Sequence, residues 1–355
     1  MSKYLFTLII CITFSITSQA QIGGSHVYEF LNFSPSARVT ALGGSLITVQ
    51  DDDHSLAFDN PALLNPSMHQ GIAFSHNFHL AGIQNGYVAY AQHFDKIETT
   101  FTIGMQYVNY GDFIGTDEFG NETAGFNANE LALTIGAGRK LYDKVSVGAN
   151  LKLISSTLEA FNSYGISLDI GAYYEDPEKR ITAAFVIKNA GTQLTTYRDG
   201  VRESIPFEIQ FGVSKRLENL PFRFSLIAHK LETPNLNYDN PAEVEERLFF
   251  GEEPQQQSNF NAWLDNVFKH LIFNGEFLIG KKENFRLRIG YNHFIKKELS
   301  VQNFRSLAGF SGGFGLKINR FRLDYGLGVY HLGGSLNHLT ISTNIKEFRK
   351  KSLIE

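Results

Sequence analysis

Residues 99–110 read TTFTIGMQYVNY. Phe101, Ile103, Met105 and Tyr107 alternate with Thr100, Thr102, Gly104 and Gln106. In a strand, successive side chains point to opposite faces, so one face of this segment is greasy and the other small or polar. The pattern is not unique to these residues. It returns about fourteen times between Gly71 and the C-terminus, with a turn after each stretch of about ten residues. Val145–Leu153, Tyr164–Ile170, Phe285–Tyr291 and Phe321–Val329 repeat it most clearly, and Leu336–Ile345 ends the series.

A soluble sandwich and a membrane barrel both alternate in this way, and the ends of the chain favour the second. Lys3, the apolar run Leu5–Ile16 and the small-x-small site Ser18-Gln19-Ala20 predict a signal peptide over residues 1–20, with the mature chain starting at Gln21. Cys11, the only cysteine, falls inside that run. Ile10 precedes it where a lipoprotein signal needs a small residue, so the mature chain is expected to hold neither a disulfide nor a thiolate metal site. Gly 32, Phe 31 and Tyr 15 suit twisted strands with ring-rich rims. A mean hydropathy of −0.15 fits a barrel, in which only every second residue meets lipid. A net charge of −4 argues against nucleic acid as a partner.

Charge parity points the same way. Lys152, Asp169, Arg223, Arg286, Arg288, Lys317 and Asp324 all lie opposite the greasy residues of their strands. An Arg or Lys facing mid-bilayer lipid costs about 2–4 kcal/mol, so this placement predicts a lipid face and a wet or packed lumen. The links at Asp95–Glu98, Lys140–Lys144, Glu175–Arg180, Leu217–Leu220, Gly280–Glu283 and Asn319–Arg320 are short. Asp112–Asn129, Asn189–Ser204, Glu232–Lys269 and Ile295–Ser306 are long. The expectation is an all-β chain: a 14-stranded antiparallel transmembrane β-barrel over residues 71–346 with an N-terminal plug segment over 21–70. A basic tail over 347–355 follows, and an even strand count places both termini in the periplasm.

Residues 21–70 do not alternate. A barrel of this size is too wide for its own side chains to fill, so the segment is expected inside it as a hatch. Arg38 near Asp51, Asp52 and Asp53 would pair within a buried plug. Gly43-Gly44 permits a tight turn, and Asn60-Pro61 is a helix-start signal. Among the outer links, Glu232–Lys269 stands out. It carries Glu243, Glu245, Glu246, Glu252, Glu253 and Gln255–Gln257, then Phe260, Trp263, Leu264, Val267 and Phe268 at helical spacing. That helix is read as capping the barrel mouth, as meeting a partner protein or as packing on the barrel rim.

The stretch SARVTALGGSLITVQDDDHSLAFDNPALLN, residues 36–65, resembles the N-terminal signature of the PorV/PorQ group. These are outer-membrane proteins of the type IX secretion system of Bacteroidetes, related to the FadL-like barrels. ALGG, DDD and NPALLN sit closer to the PorQ branch. The resemblance implies a fourteen-stranded barrel with a hatch. It also implies a non-enzymatic role in secreting or surface-attaching cargo, with outer-membrane lipid and PorZ-like attachment components as partners. The sequence holds no H-E-x-x-H, P-loop or S-x-x-K motif, so no cofactor and no metal are expected. A FadL-like diffusion channel for hydrophobic small molecules is the alternative.

Catalytic signals are decoys. Gly309-Phe310-Ser311-Gly312-Gly313 matches G-x-S-x-G but sits in an alternating strand, without the following helix that a nucleophile elbow needs. His76 and His79 face opposite sides of a strand and cannot share a metal. Asp51–Asp53 lacks the spaced carboxylates of a calcium loop.

Overall fold

The structure is a computed structural model and describes residues 26–79, 82–237, 259–299, 306–331 and 334–348. The expected signal peptide with Cys11, the acidic run Glu243–Gln257 and the end of the basic tail lie outside the described residues. The strands are β1 (Gly71–Phe78), β2 (Gln84–Phe94), β3 (Thr99–Phe113), β4 (Phe126–Tyr142), β5 (Val145–Leu158), β6 (Phe161–Asp176) and β7 (Ile181–Thr195). They continue with β8 (Glu208–Arg216), β9 (Phe222–Ala228), β10 (Leu271–Ile279), β11 (Phe285–Asn292), β12 (Phe310–Ile318), β13 (Phe321–His331) and β14 (Gly334–Asn344).

Each strand pairs antiparallel with its sequence neighbours, and β1 also pairs with β14, Gly71 opposite Asn344. The result is a closed 14-stranded barrel with no free edge. Alternation in β3 explains why the wall has two characters. Phe101, Ile103 and Met105 stand exposed on the outside while Thr100, Thr102 and Gln106 are buried inside. No helix among the described residues is long and apolar enough to cross a membrane, so the greasy exterior is built by strands alone.

One end of the barrel has only short turns. The other carries the long links β3–β4, β7–β8, β9–β10 and β11–β12, together with the short β5–β6 turn at Glu159. Two elements depart from the alternation. β7 does not end at Asn189 but runs on to Thr195. Asn189 adopts a φ of 55°, and the β6–β7 register shifts between Leu168 and Ile170. The bulge moves the buried parity from Val186 and Lys188 to Asn189 and Gln193. The β11–β12 link begins with a helix (His293–Glu298), capped by the Asn292 side chain, which accepts from the Ile295 N–H.

Residues 26–70 fill the lumen. Val27 donates its N–H to the Ser204 carbonyl at the long-loop end, and Gln70 pairs with Ala91 at the short-turn end. The segment therefore crosses the barrel, and the first described residues lie at the mouth opposite the close of β14. The two ends of the chain themselves lie outside the described residues. Strand parity fixes the ends of the wall and says nothing about a plug that traverses it.

Short polar caps build the plug. Ser36 caps α1 (Ala37–Ala41) by accepting from the Val39 N–H. Asp53, Asn60 and Asn65 cap single 3-10 turns in the same way, the last two with proline at the first helical position. Between them Val39, Leu42, Leu46, Ile47, Leu56 and Leu63 pack against Tyr173, Val186, Ile227 and Ile272 of the wall. Each fully buried Leu or Ile contributes about 1.5–3 kcal/mol. Wall glycines admit the close approach: a Cβ on Gly138, Gly148 or Gly171 would strike Asn60, Pro61 or Leu64.

Candidate functional site

Three sites lie between plug and wall. The first is a buried ion-pair cluster around Arg38, which is 1% exposed. Its guanidinium donates to Glu276 of β10 at 2.9 and 3.1 Å. It also pairs with Asp51 at 2.9 Å and Asp53 at 3.2 Å. Glu276 further accepts from Arg288 at 3.1 Å and from Arg223, and Arg288 reaches Asp324 at 2.5 Å. Asp51 meets Arg286 at 3.1 Å, and Asp52 takes Arg322 through both oxygens at 2.8 and 3.0 Å. Burial alone would push the Asp51 and Asp53 carboxyls up, but the Arg38 guanidinium overrides it and holds both below the usual carboxylate range. Desolvation offsets much of the attraction in buried pairs of this kind, so their net stabilisation is small even though removing one partner is costly. This one ties residues 38–53 to β9–β13.

The remaining plug-motif residues lie nearby in the same segment. Gly43 (φ 82°) gives its N–H to the Ser311 hydroxyl and its carbonyl accepts from Asn292. Gly44 (φ 94°) completes that turn. The Ser311 hydroxyl donates in turn to the Ala41 carbonyl, so the serine of the G-x-S-x-G match is spent on holding the plug. Asn60 donates to the Ile47 carbonyl, and Pro61 rests on Gly148.

A second cluster lies across the lumen. Lys152 pairs with Asp169 at 2.8 Å, donates to Asn189 at 2.9 Å and sits 4.4 Å over the Phe58 ring. Lys188 meets Asp59 at 2.7 Å. The sequence places Lys152 and Asp169 on the inner face, but nothing in it joins them to plug residues Phe58 and Asp59.

The third site is a cavity of about 700 Å³ at the long-loop mouth. Tyr28 of the plug, Tyr110, Phe113, Phe161 and Tyr197 wall it. The tyrosine hydroxyls are already engaged: Tyr110 with Glu130, Tyr197 with Ser156 and Tyr28 with Ser163, each at 2.5 Å. A guest thus meets aromatic carbon beside the buried Glu130 carboxylate, with His26, Glu29, Arg198 and Glu203 also in the lining. The alternation gave no sign of this cavity, because Tyr28 and Tyr197 come from segments outside the repeating strands' pattern.

The sequence-marked loop residues are elsewhere. Phe260, Trp263, Leu264, Val267 and Phe268 all fall on α2 (Asn259–Lys269), which leads into β10. Among the described residues, no group of three or more His, Cys, Asp or Glu is placed to hold a metal.

No family model matches the chain, and no curated protein matches it. Among solved structures it is similar to the CymD monoaromatic hydrocarbon channel, at 13% identity and a TM-score of 0.49, over 87% of this chain and 96% of that one. It is similar also to the Pseudomonas putida toluene transporter TodX, at 12% identity and a TM-score of 0.49, over 87% and 96%. A Pseudomonas aeruginosa FadL homologue gives 10% identity and a TM-score of 0.49 over 91% and 100%. The barrel and its plug rest on the strand pairing itself, independent of these likenesses.

Proposed function

We propose that this chain is a plugged outer-membrane barrel, without catalysis, that takes an apolar or aromatic small molecule at its long-loop mouth for passage inward. The cavity walled by Tyr28, Tyr110 and Tyr197 carries this reading. Its volume suits a small organic guest, and most of its lining is ring and aliphatic carbon, with His26, Glu29, Glu130, Arg198 and Glu203 as the polar members. Tyr28 belongs to the plug, so a guest there touches the element that closes the lumen. In this reading the long loops face outward and the short turns face the periplasm.

Toluene-class compounds are the first probes, since two of the similar structures bear such names. The detergent-solubilised protein is expected to bind one of them saturably, and Tyr197→Ala to weaken that binding by up to about tenfold, the scale of one lost aromatic pair. Equilibrium dialysis reads both. No saturable binding by the wild type, or an unchanged affinity in the variant, rejects the reading.

A second reading is a docking component of type IX secretion, with PorZ-like partners. Its support is that the PorQ-like stretch 36–65 is the plug itself, locked by buried ion pairs. Docking needs no passage through the lumen. Deleting the gene then blocks surface delivery of cargo and spares uptake of apolar compounds; the uptake reading expects the reverse.

A further inference from the structure

Helix α2 is amphipathic, and it is turned the wrong way for a helix that packs on its own protein. Asp265, Asn266 and Lys269 share one face, and that face holds the protein contacts. Asp265 pairs with Lys297 at 2.7 Å and His293 at 3.1 Å, and Lys269 with Glu298 at 3.1 Å. Asn266 accepts from the Leu236 N–H and donates to the Pro234 carbonyl. At 100° per residue, Phe260, Trp263, Leu264, Val267 and Phe268 form the opposite arc. Phe260 is 65% exposed, Trp263 58% and Phe268 42%.

The height of this arc is fixed by the wall. Phe268 stacks on Phe273, ring centroids 6.2 Å apart. Phe273 is an outward residue of β10, opposite Tyr291 of β11, which in turn lies opposite Phe310 of β12. Tyr291 and Phe310 pack at 4.7 Å. A row of outward rings at one end of a barrel wall is an aromatic girdle, the level of the membrane–water boundary. The apolar arc of α2 thus continues the lipid-facing surface rather than covering the barrel mouth.

We propose that α2 is an interfacial helix, its polar face bound to the barrel rim and its aromatic arc set into the outer leaflet of the membrane. Such helices seat about 5–10 Å into the headgroup and acyl boundary. The helix would fix the height and tilt of the barrel on the β9–β12 side. This inference rests on the barrel spanning a membrane, and it is independent of what the mouth cavity binds.

Trp263 is the chain's only tryptophan, so the native protein reports on the question without mutation. The mature protein is reconstituted into phosphatidylcholine vesicles, and insertion is confirmed by heat-modifiable electrophoretic mobility. Lipids brominated high on the acyl chain should quench Trp263 more than those brominated near the chain end. Iodide quenching should fall severalfold against the same protein held in amphipol, and the variant Phe260→Ser/Phe268→Ser should regain it. An inserted barrel whose Trp263 stays open to iodide and ignores bromolipid overturns the proposal and leaves the membrane reading intact; a helix that waits for a protein partner gives that same result. A barrel that fails to enter vesicles overturns both.

Discussion

Replacing Arg38 with alanine releases the plug. Asp53 then loses its direct guanidinium partner among the described residues and keeps the Ser55 hydroxyl and amide. Glu276 keeps Arg223 and Arg288, so the wall stays in register while the plug loses its central tie to it and keeps the pairs of Asp51 with Arg286, Asp52 with Arg322 and Asp59 with Lys188. Removing one member of a buried ion pair costs about 3–5 kcal/mol. Hydrogen exchange over residues 37–60 should accelerate by a factor of 100 or more, taking about 1.4 kcal/mol per tenfold, while exchange in β3–β6 is unchanged. Equal protection in variant and wild type removes the cluster as a latch.

The pH dependence follows from the sign of the carboxylate shifts. Asp51 and Asp53 titrate lower in the folded protein than the roughly 3.9 of a free aspartate. Their contribution is fully present above that unfolded value and disappears as pH falls through the lower, folded one. Wild-type plug protection should hold from neutral pH to about pH 4 and then fail. In the Arg38→Ala variant, burial at Asp53 is opposed only by the Ser55 hydrogen bonds and the more distant Arg322, so protection should fail at a higher pH than in the wild type.

Asp169→Leu should be nearly as damaging, for a different reason. Lys152 is then left fully buried, with Asn189 and the Phe58 ring as its remaining partners. The Asn189 backbone N–H, which donates to Asp169 at 2.8 Å, is also orphaned at the bulge. A loss of about 3–5 kcal/mol is expected for the single change. Adding Lys152→Met removes the stranded charge and should recover much of it, because an apolar pair of similar volume is often as stable as a buried ion pair. Urea unfolding in detergent reads both; a double variant no more stable than the single one contradicts the assignment.

Much of the wall could be read from the sequence because β-structure encodes sidedness in a period of two. Phe101 against Thr102, or Leu151 against Lys152, carries that information locally. The exceptions have local causes as well. At Asn189 a left-handed residue shifts the parity of β7, so the strand looked like a loop. The latch could not be read in the same way. Arg38 and Glu276 meet across 238 residues, and no periodicity links positions so far apart. Residue types suggested that Arg38 pairs with Asp51 and Asp53, but Glu276 sits between Gly275 and Phe277 and drew no notice. For α2, helical spacing revealed an apolar face but not which side the protein occupies. Only Asp265 and Asn266, with their partners in place, decide that.

The central claim is a wall whose outside meets lipid and whose inside is closed by residues 26–70. Since the only cysteine falls in the expected signal peptide, single cysteines placed along β5 from Val147 to Ser155 can be labelled in the native membrane without interference. The account predicts strict alternation: positions 147, 149, 151, 153 and 155 react only with a lipid-soluble maleimide, and the inward positions 150 and 154, which neither meet the plug backbone at a glycine nor belong to an ion pair, with neither that reagent nor a water-soluble one. Ready labelling of the second set by the water-soluble reagent would mean an open lumen, and labelling of the first set by it would mean no lipid face at all.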